Sequence, residues 1–390
     1  MCVKQFLERA KEIEEQIKQD RQYLHQHAEL GLDLPMTTSY VLKRLEEMGI
    51  TGKSIAPSGI IADIGGKKAG KMILLRADMD ALPMKEENDL SYKTVTDAAH
   101  TCGHDMHTAM LLGAAKLLKE KETELCGTVR LLFQPGEETG DGAKAMINAG
   151  VLDSVDVAFG MHIMLDWKAP AFGYGSGYMT SSCEDFIVSI KGIGCHGAMP
   201  HMGIDPINVG FHIYSAYQAL IAREVPPSET VSLTIGHFEA GTKANIIPEE
   251  AVLEGTLRTY NKEISVRLVE RMKEIAKQCG EMFHAKVEYT TRLNLPPTYS
   301  DPVLTEELAT YIDEMDPTLI KDRSYRVTPS EDFALIADKV PASYFLAGGK
   351  VENCQVQHHN PKVVFDEKIL AYGSAVHATC AYRWLEAHKE

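Results

Sequence analysis

The sequence predicts an α/β protein in which a mixed, largely parallel sheet is covered by helices and a smaller domain is inserted into the larger one. The chain of 390 residues is longer than one simple core accommodates, which favours two domains. Short apolar runs alternate with helical patterns in its first part, as in sheets of parallel strands. Between residues 184 and 292, strands with alternating apolar and polar residues replace this pattern.

The first part of the chain carries the signals of the larger domain. Apolar residues recur at helical spacing from Phe6 to Leu24, which predicts one opening helix, and another helix starts near Met106. Continuous apolar runs at 72–75, 129–133 and 155–159 predict strands. Such uninterrupted runs are typical of parallel strands that are buried on both faces.

Polar residues follow each of the three apolar runs where the predicted strand ends. They are Asp78 and Asp80 after the first run, Glu137 and Glu138 after the second, and His162 at the end of the third. In open α/β sheets the ligand site lies beyond the carboxyl ends of the strands. We therefore expect these side chains to converge.

The segment 184–292 has the element order strand, helix, strand, strand, helix, strand. Asp205 and Pro206 mark the start of its first helix, because Asp is a preferred N-cap and Pro suits the first helical position. The order is the β-α-β-β-α-β arrangement of a ferredoxin-like sandwich. The sequence thus predicts a domain at 184–292 inserted into a larger one formed by 1–183 and 293–390.

Composition argues against some classes of partner and indicates a compartment. The net charge is −15, aromatic residues make up 7%, and no long basic run occurs, so nucleic acids and anionic membranes are not expected as partners. The first residues lack the apolar core of a signal peptide, and no run approaches the roughly 18 apolar residues of a membrane span. The eight cysteines are scattered without a close pair, which indicates reduced thiols and a cytoplasmic protein.

The densest chemical signal is the segment 100–107, which contains Cys102 and His104. Thiolate and imidazole are good ligands for a divalent metal such as Zn²⁺. The spacing, with Gly103 between them, lets both side chains reach one centre just before a helix, whose N-terminus favours the thiolate form. A nucleophilic cysteine and a buried structural thiol remain alternative interpretations.

Glu137 and Glu138 form the second signal. Adjacent carboxylates in a bend can point in different directions, so that one binds a metal while the other transfers a proton, and metal-assisted hydrolysis needs both. The alternative is a solvated pair on a loop. Asp78 and Asp80 either orient ligand histidines through hydrogen bonds or cap a turn. His162 is a further candidate ligand, although a lone histidine is more often a core or surface residue.

These motifs resemble, in order along nearly the whole chain, the M20 metallopeptidase family. More narrowly, they are similar to the aminoacylase and amidohydrolase branch, which includes hippurate, N-acetyl-amino-acid and auxin-conjugate hydrolases. The strings that carry the resemblance are Arg76–Pro83 (RADMDALP), Cys102–Ala109 (CGHDMHTA), Gln134–Glu138 (QPGEE), His196–His201 (HGAMPH), Asn245–Pro248 (NIIP), Ser330–Phe333 (SEDF) and His359–Pro361 (HNP).

The resemblance implies a Zn-peptidase-like catalytic domain with two divalent metal ions, Zn²⁺ or Mn²⁺. Cys102 occupies the position where other branches have a metal-bridging aspartate. The implied ligands are Cys102, His104, Glu138, His162 and His359. His358 is the alternative to His359, which the His-Asn-Pro string favours. Glu137 is the implied general base that activates a bridging water.

For the inserted domain the resemblance implies a lid that also forms a homodimer. In the family a lid histidine and asparagine contact the carbonyl and carboxylate of the substrate, often from the partner subunit. His196 and Asn245 match these residues. Arg258 either pairs with a substrate carboxylate or is an exposed strand arginine, and His201 is either a hinge of the lid or a substrate contact.

The predicted activity is that of an N-acyl-L-amino-acid amidohydrolase, which cleaves a linear amide into a carboxylic acid and a free amino acid. Its partner is a small-molecule N-acyl-amino-acid substrate. A dipeptidase or carboxypeptidase on the same scaffold is the nearest alternative. A non-catalytic metal- or peptide-binding protein and a cysteine hydrolase that uses Cys102 are the other two.

Overall fold

The computed structural model describes residues 4–66, 70–352 and 354–389. The chain divides into two compact units. The first, here called the sheet unit, consists of Met1–Met179, Thr298–Arg326 and Asp332–Glu390. The second, here called the inserted unit, consists of Thr180–Pro297 and Val327–Glu331. The inserted unit contains the predicted segment 184–292 and extends beyond it at both ends.

The helices and strands are numbered along the chain. The helices are α1 (Lys4–Glu12), α2 (Glu14–Gln26), α3 (Pro35–Glu47), α4 (His104–Glu120), α5 (Gly142–Asn148), α6 (Pro206–Glu224), α7 (Lys262–Met282), α8 (Pro302–Met315), α9 (Ala334–Ala337) and α10 (Ile369–Ala387). The strands are β1 (Gly52–Ile55), β2 (Gly59–Gly65), β3 (Met72–Asp78), β4 (Thr128–Gln134), β5 (Val157–Met164), β6 (Phe172–Gly173), β7 (Gly177–Tyr178), β8 (Cys183–Lys191), β9 (Cys195–His196), β10 (Val231–Ala240), β11 (Ile246–Ile247), β12 (Glu250–Thr259), β13 (Lys286–Leu295), β14 (Tyr299–Ser300), β15 (Ile320–Asp322) and β16 (Ala342–Gly348). A 3₁₀ turn spans Pro200–Met202.

The sheet unit is built on a mixed sheet with the strand order β1-β2-β4-β3-β5-β16-β6-β15. Its central strands β4, β3, β5 and β16 are parallel to one another. The pairs β1–β2, β2–β4 and β16–β6 are antiparallel. Residues of β16 are buried along its whole length, as expected for a strand covered on both faces. The predicted fold class is confirmed.

Helix α4 lies at the centre of the core of the sheet unit. Its residues are buried from His104 to Ala115 on every side, which is the property of a helix enclosed by other elements. It packs against α10, α2 and β3. The helix therefore presents its N-terminus, with His104 as the first residue, from a fixed position.

Two predicted boundaries differ from the structure. The predicted opening helix is two helices, because Ile13 departs from helical geometry with φ −99° and ψ 11°. The apolar spacing continues across the break, since both helices bury residues in the same core. The third strand was predicted to end at His162 but continues to Met164, because Ile163 and Met164 still pair with β16.

The inserted unit contains an antiparallel sheet with the strand order β10-β12-β8-β13, together with α6 and α7. Along the chain this is β8-α6-β10-β12-α7-β13, the predicted β-α-β-β-α-β arrangement. The Asp205 carboxylate caps α6 by accepting the N–H of Ile207 at 2.9 Å, and Pro206 is the first helical residue, as predicted. Phe186, Val188 and other apolar residues of the sheet form a core with the two helices.

No helix in the described part of the chain is both long and apolar enough to cross a membrane. The seven cysteines that the structure describes are free. Cys2, which the sequence groups with the other reduced thiols, lies outside the described residues.

Candidate metal centre

Side chains from separate segments converge at the carboxyl ends of the parallel strands. The strands β3 and β4 end at Asp78 and Gln134, and His162 lies near the end of β5. Several groups of possible ligand atoms lie within 4.8 Å of one another, namely Cys102/His104/His162, Cys102/Glu138/His359, His104/Glu137/Glu138 and Asp78/His104/His107. The predicted convergence is thus present, and the five implied ligands all take part in it.

Cys102 is common to two of these groups, one with His104 and His162 and the other with Glu138 and His359. Its Sγ atom lies 3.3 Å from Nε2 of His162. The Nδ1 atom of His162 lies 2.6 Å from the carbonyl oxygen of Ile163, which only accepts, so Nδ1 carries the proton. The lone pair of Nε2 is therefore directed to the side of Cys102.

The surroundings of the His104 ring suit a metal ligand better than a core histidine. The residue is fully buried, and neither ring nitrogen has a hydrogen-bond partner among the described residues. Its Nδ1 lies 3.5 Å from Asp80, and its Nε2 lies 3.9 Å from both Glu137 and Glu138. A buried polar group without a partner is costly, and a cation coordinated by the ring removes that cost.

The donor set fits a divalent metal. Oε1 of Glu138 is also buried without a hydrogen-bond partner in the described chain, and it faces Nε2 of His359 at 3.5 Å. Sulfur, imidazole nitrogen and carboxylate oxygen together suit Zn²⁺, and the nitrogen and oxygen donors also suit Mn²⁺. The two groups that share Cys102 provide three donors each, enough to hold two ions.

The surroundings of Cys102 and His104 in the protein favour the protonated form of both side chains. Burial and the Glu138 carboxylate raise the pKa of the Cys102 thiol well above its ordinary value. Burial opposes a charge on His104, but the Asp78 and Asp80 carboxylates outweigh it and raise the pKa of this ring. For Cys102, burial and Glu138 thus outweigh the neighbouring His104 ring, which favours the thiolate. Coordination to a divalent cation would reverse the shift, since a coordinating thiol loses its proton.

Gly103 makes possible the turn between the candidate ligands Cys102 and His104. Its φ of +87° lies in the left-handed region that favours glycine, and a Cβ atom here would lie 2.4 Å from Cγ2 of Ile163. Larger residues would push Cys102 and the start of α4 away from β5. A steric constraint thus explains why a glycine separates Cys102 and His104 in the sequence.

The structure distinguishes the two candidate histidines at 358 and 359. His359 lies in the group with Cys102, and its backbone N–H donates to the carbonyl of Thr101 at 3.1 Å. His358 instead lies with Nε2 at 3.0 Å from the carbonyl oxygen of Ile163. His359 is therefore the residue of the pair that faces the cluster.

Asp80 holds the bend that carries the two glutamates. Its carboxylate is fully buried and accepts the backbone N–H groups of Glu137 at 2.9 Å and Glu138 at 3.1 Å. The expected hydrogen bond from Asp80 to a ligand histidine is replaced by a longer approach of 3.5 Å to His104. Asp80 thus fixes both glutamates relative to β3.

Asp78 acts on a histidine that was not among the predicted ligands. Its carboxylate bonds to Nδ1 of His107 at 2.5 Å and accepts from Arg76 at 2.6 Å. Nε2 of His107 in turn accepts the backbone N–H of Ile163 at 2.8 Å. Asp78 therefore joins β3 to α4, and His107 extends the connection to β5. Asp78 approaches His104 only to 3.8 Å. The histidine at 107 belongs to the motif string, but spacing alone gave it no role.

A buried ion-pair network behind α4 was not predicted. Nε of Arg21 donates to Asp105 at 2.7 Å, and Nδ1 of His25 lies 2.8 Å from the same carboxylate. Nε2 of His25 lies 3.1 Å from Glu86. Arg21 and Asp105 are each 1% exposed. Because these residues lie 84 positions apart in the chain, no local pattern connects them.

Within the inserted unit, His196 and Asn245 lie side by side. The strand β9 pairs with β11 so that His196 faces Ile246, and the N–H of Gly197 donates to the carbonyl of Asn245 at 2.8 Å. Both side chains are exposed. Nδ1 of His196 accepts the N–H of Ala198 at 3.0 Å, so the proton of the neutral ring is on Nε2.

The two other candidates of the inserted unit have different surroundings. His201 is exposed and lies in the 3₁₀ turn Pro200–Met202, directly after the loop that starts at His196. Arg258 lies on β12 and is partly exposed. Its Nη1 donates to Asp185 of the neighbouring β8 at 3.2 Å and to the carbonyl of Leu257 at 3.2 Å. Part of its guanidinium is therefore engaged within the unit.

Comparison with known proteins identifies the class of protein that this fold and site define. Residues 74–383 match the model of Peptidase family M20/M25/M40. Thermostable carboxypeptidase 1 of Saccharolobus solfataricus is 34% identical, and the alignment covers 96% of this chain and 96% of that protein. The chain therefore belongs to the M20/M25/M40 peptidase family, a family of hydrolases, and the resemblance predicted from its motifs is confirmed.

Two further relatives are similar along nearly the whole chain. The N-acetyl-L-cysteine deacetylase of Bacillus subtilis is 34% identical over 97% of this chain and 90% of its own length. The crystal structure of the Bacillus subtilis YXEP protein, described as a dinuclear metal-binding peptidase of the M20 family, has a TM-score of 0.83 and 32% identity. That comparison covers 96% of this chain and 99% of the other. The fold of the chain is thus that of a solved M20-family structure.

Proposed function

We propose that the protein is a metal-dependent amidohydrolase that cleaves N-acyl-L-amino acids into a carboxylic acid and a free amino acid. The observation that carries the proposal is the pair of ligand groups that share Cys102, with Glu137 beside them. The similarity to an N-acetyl-L-cysteine deacetylase supports an acylated amino acid as the substrate. A thiol ligand requires a reducing compartment, which favours the cytoplasm.

Five residues would hold the metal ions. They are Cys102, His104, Glu138, His162 and His359, and Cys102 is common to both ligand groups. Two divalent ions, Zn²⁺ or Mn²⁺, would polarise the scissile carbonyl and lower the pKa of the attacking water. The proposal takes its support from the buried nitrogens of His104 and the buried Oε1 of Glu138, none of which has a hydrogen-bond partner among the described residues.

Glu137 is the general base in this proposal. Its carboxylate lies 3.9 Å from Nε2 of His104, and its backbone is fixed by Asp80. Glu137 takes a proton from water as the water oxygen bonds to the carbonyl carbon. It then gives the proton to the amide nitrogen, and the carbon–nitrogen bond breaks. The acid and the amino acid leave, and Glu137 is again ionised.

The inserted unit would act as a lid that recognises the substrate. Nε2–H of His196 would donate to the carbonyl oxygen as negative charge develops there, which is the role of an oxyanion donor. Asn245, adjacent to it, would contact the substrate carboxylate, with Arg258 as a second partner for that group. His201 would contact the substrate or serve as a hinge of the loop.

A homodimer through the inserted unit is part of the proposal. Ile207, Phe211 and Tyr214 form an apolar stripe along α6 at the spacing of one helix face, with exposures of 43%, 59% and 40%. The strand β10 lies at the edge of the sheet, where Phe238 is 41% exposed. Exposed apolar stripes and open sheet edges are features of association surfaces. Sedimentation of the wild type and of the Phe211→Glu variant tests whether the chain forms a dimer through this surface.

A carboxypeptidase or dipeptidase is the second candidate, favoured by the identity to thermostable carboxypeptidase 1. The same residues would cleave a peptide bond. The difference lies in the substrate, because a dipeptidase must recognise a free amino group where an aminoacylase accepts an acyl chain. The proposed function therefore predicts a higher kcat/KM for N-acyl amino acids than for free dipeptides.

The test combines metal analysis with a substrate panel. The protein is stripped with a chelator, reloaded with Zn²⁺ or Mn²⁺, and assayed on N-acetyl amino acids, N-benzoyl amino acids, acylated peptides and free dipeptides. We expect two ions per chain, loss of activity on stripping and the highest kcat/KM on N-acyl amino acids. Faster cleavage of peptides would establish the second candidate. Hydrolysis that survives chelation but not thiol alkylation would indicate a cysteine hydrolase, and inactivity on every amide would indicate a binding protein.

A further inference from the structure

We propose that Asp332 is a positioning residue, which holds the bend carrying Glu137 and Glu138 in its working geometry. The inference rests on the proposed function, because it assigns Asp332 a part in the same reaction. Asp332 belongs to the SEDF string, but it was given no role from sequence. Its support is a set of contacts within the sheet unit.

The Asp332 carboxylate receives hydrogen bonds from three different elements. Nη2 of Arg76, on β3, donates to Oδ1 at 2.8 Å. Nε2 of Gln134, the last residue of β4, lies 2.8 Å from Oδ1 and 2.9 Å from Oδ2. The backbone N–H of Ala143, in the first turn of α5, donates to Oδ2 at 2.8 Å. One carboxylate thus binds both ends of the segment 134–143.

The segment between these two contacts carries the general base. It leaves the sheet at Gln134, turns through Glu137 and Glu138, and re-enters regular structure at Gly142. Asp80 holds the middle of the segment through two backbone N–H groups, whereas Asp332 holds its ends. The Glu137 carboxylate lies within 4.8 Å of that of Asp332. Displacement of the ends therefore moves the base relative to the metal ligands.

Burial makes the network rigid. Arg76, Gln134 and Asp332 are each at most 1% exposed, so water does not replace a lost contact cheaply. Arg76 also donates to Oε1 of Gln134 at 3.1 Å, which closes a ring of bonds around Asp332. Networks of this kind in a region of low dielectric fix one arrangement of their members. Reacting groups displaced by about 1 Å lose about 100-fold in rate.

The test uses Asp332→Asn in the full-length, metal-loaded protein. The amide keeps the shape of the carboxylate but directs an NH₂ group at two donors, either Arg76 and Gln134 or Gln134 and Ala143. We expect kcat to fall about 10- to 100-fold, with KM changed by less than about threefold and two ions still bound. Amide hydrogen exchange should become faster at Ala143 and in the bend.

Asp20→Asn is the matched control. Asp20 is 1% exposed, and it also accepts from an arginine and one further donor, Nε of Arg44 at 2.7 Å and the Tyr40 hydroxyl at 2.7 Å. It lies on α2, and these hydrogen bonds come from α3 rather than from the bend. We expect a comparable loss in the free energy of unfolding, unchanged kcat and unchanged exchange at Ala143.

The double variant Gln134→Glu/Asp332→Asn provides a rescue. It exchanges carboxylate and amide between the two positions, so their mutual hydrogen bond and the net charge are restored, although one donor contact of residue 332 stays unmatched. We expect it to recover about tenfold of the kcat lost in Asp332→Asn, the size of coupling common between contacting residues. A Gln134→Glu single variant completes the cycle.

The outcomes separate this inference from the proposed function. If the wild type cleaves none of the amides, the proposed function fails and the catalytic role of Asp332 fails with it. If the wild type is active and Asp332→Asn keeps kcat within about threefold, only the positioning role is wrong. Equal losses of kcat in Asp332→Asn and Asp20→Asn would likewise overturn it, because they would reflect general destabilisation. Loss of kcat and faster exchange in Asp332→Asn alone, with rescue, establish it.

Discussion

The candidate residues of the two units differ in how the chain holds them. In the sheet unit, His104, Asp78 and Asp80 are completely buried, and the bend with Glu137 and Glu138 is tied to Asp80. In the inserted unit, His196 and Asn245 are exposed and are held by a ladder of two short strands. Under the proposed function, the first group holds the cations, whereas the second has polar atoms available to a substrate. Variants in the two units should therefore affect different properties: metal binding and stability in the sheet unit, and substrate recognition in the inserted unit.

The largest expected effect is that of Glu137→Gln on turnover. The amide cannot accept the proton of water, so we expect kcat to fall by about 1,000-fold or more, while both ions remain bound. Rates are measured on the best acyl amino acid of the panel, with metal content from elemental analysis. Glu120→Gln, which alters a surface carboxylate bonded to Arg9, serves as the control. Near-normal turnover in Glu137→Gln would remove this residue from the chemistry.

The next effect concerns the stability of the sheet unit. Arg21→Met leaves the Asp105 carboxylate buried without its arginine, and breaking such a pair costs about 3–5 kcal/mol in the free energy of unfolding. Arg9→Met removes a similar pair with Glu120 at the surface, where the Arg9 side chain is 40% exposed, and should cost less than about 1 kcal/mol. Denaturant unfolding of the two variants measures both losses in the free energy of unfolding. Equal losses would show that burial does not set the strength of these pairs.

A smaller, purely kinetic effect is expected in the inserted unit. His196→Ala should lower kcat/KM by about 100-fold, the effect of losing one oxyanion donor. Because the side chain is exposed, metal content and the free energy of unfolding should not change. His237→Ala is the matched control, since His237 is an exposed histidine on β10 of the same unit, with 51% of its side chain accessible. Loss of metal in His196→Ala would contradict the separation of roles.

The smallest effect is expected for Arg258→Ala. If Nη2 and Nε of Arg258 donate hydrogen bonds to the substrate carboxylate, the substitution should raise KM about tenfold for a free-acid substrate and leave it unchanged for the amide-capped analogue. If the guanidinium only pairs with Asp185, both values stay unchanged and stability falls by less than about 1 kcal/mol. Arg292→Ala, at a residue paired with Glu254 on the same sheet, controls for loss of a surface charge.

Local patterns in the sequence predicted the elements and most of the site. Apolar runs predicted β3 and β4 because parallel strands are buried on both faces, and Asp205 and Pro206 predicted the start of α6 through their capping chemistry. Polar residues directly after the strands predicted the cluster, since parallel strands end at one edge. His359 does not follow a predicted strand, so only the motif resemblance predicted it as a ligand.

The remaining features depend on contacts between distant parts of the chain. Arg21 and Asp105 meet only in the folded core, and Asp332 reaches Gln134 across 198 positions. The raised pKa of Cys102 follows from burial and from Glu138, neither of which the spacing of the motif contains. The break at Ile13 leaves the apolar periodicity intact, so the periodicity did not reveal it.

The division of the chain has a consequence for dissection of the protein. The inserted unit takes its residues from Thr180–Pro297 and from Val327–Glu331, so the backbone passes between the units four times. A protease that cuts one connection still leaves the inserted unit covalently joined to part of the sheet unit through the remaining connections. A fragment limited to 180–297 also lacks the carbonyl of Thr328 that receives the Ser181 hydroxyl. Transplanting this unit into another scaffold therefore requires two grafts, and the short one ends at the residue before Asp332.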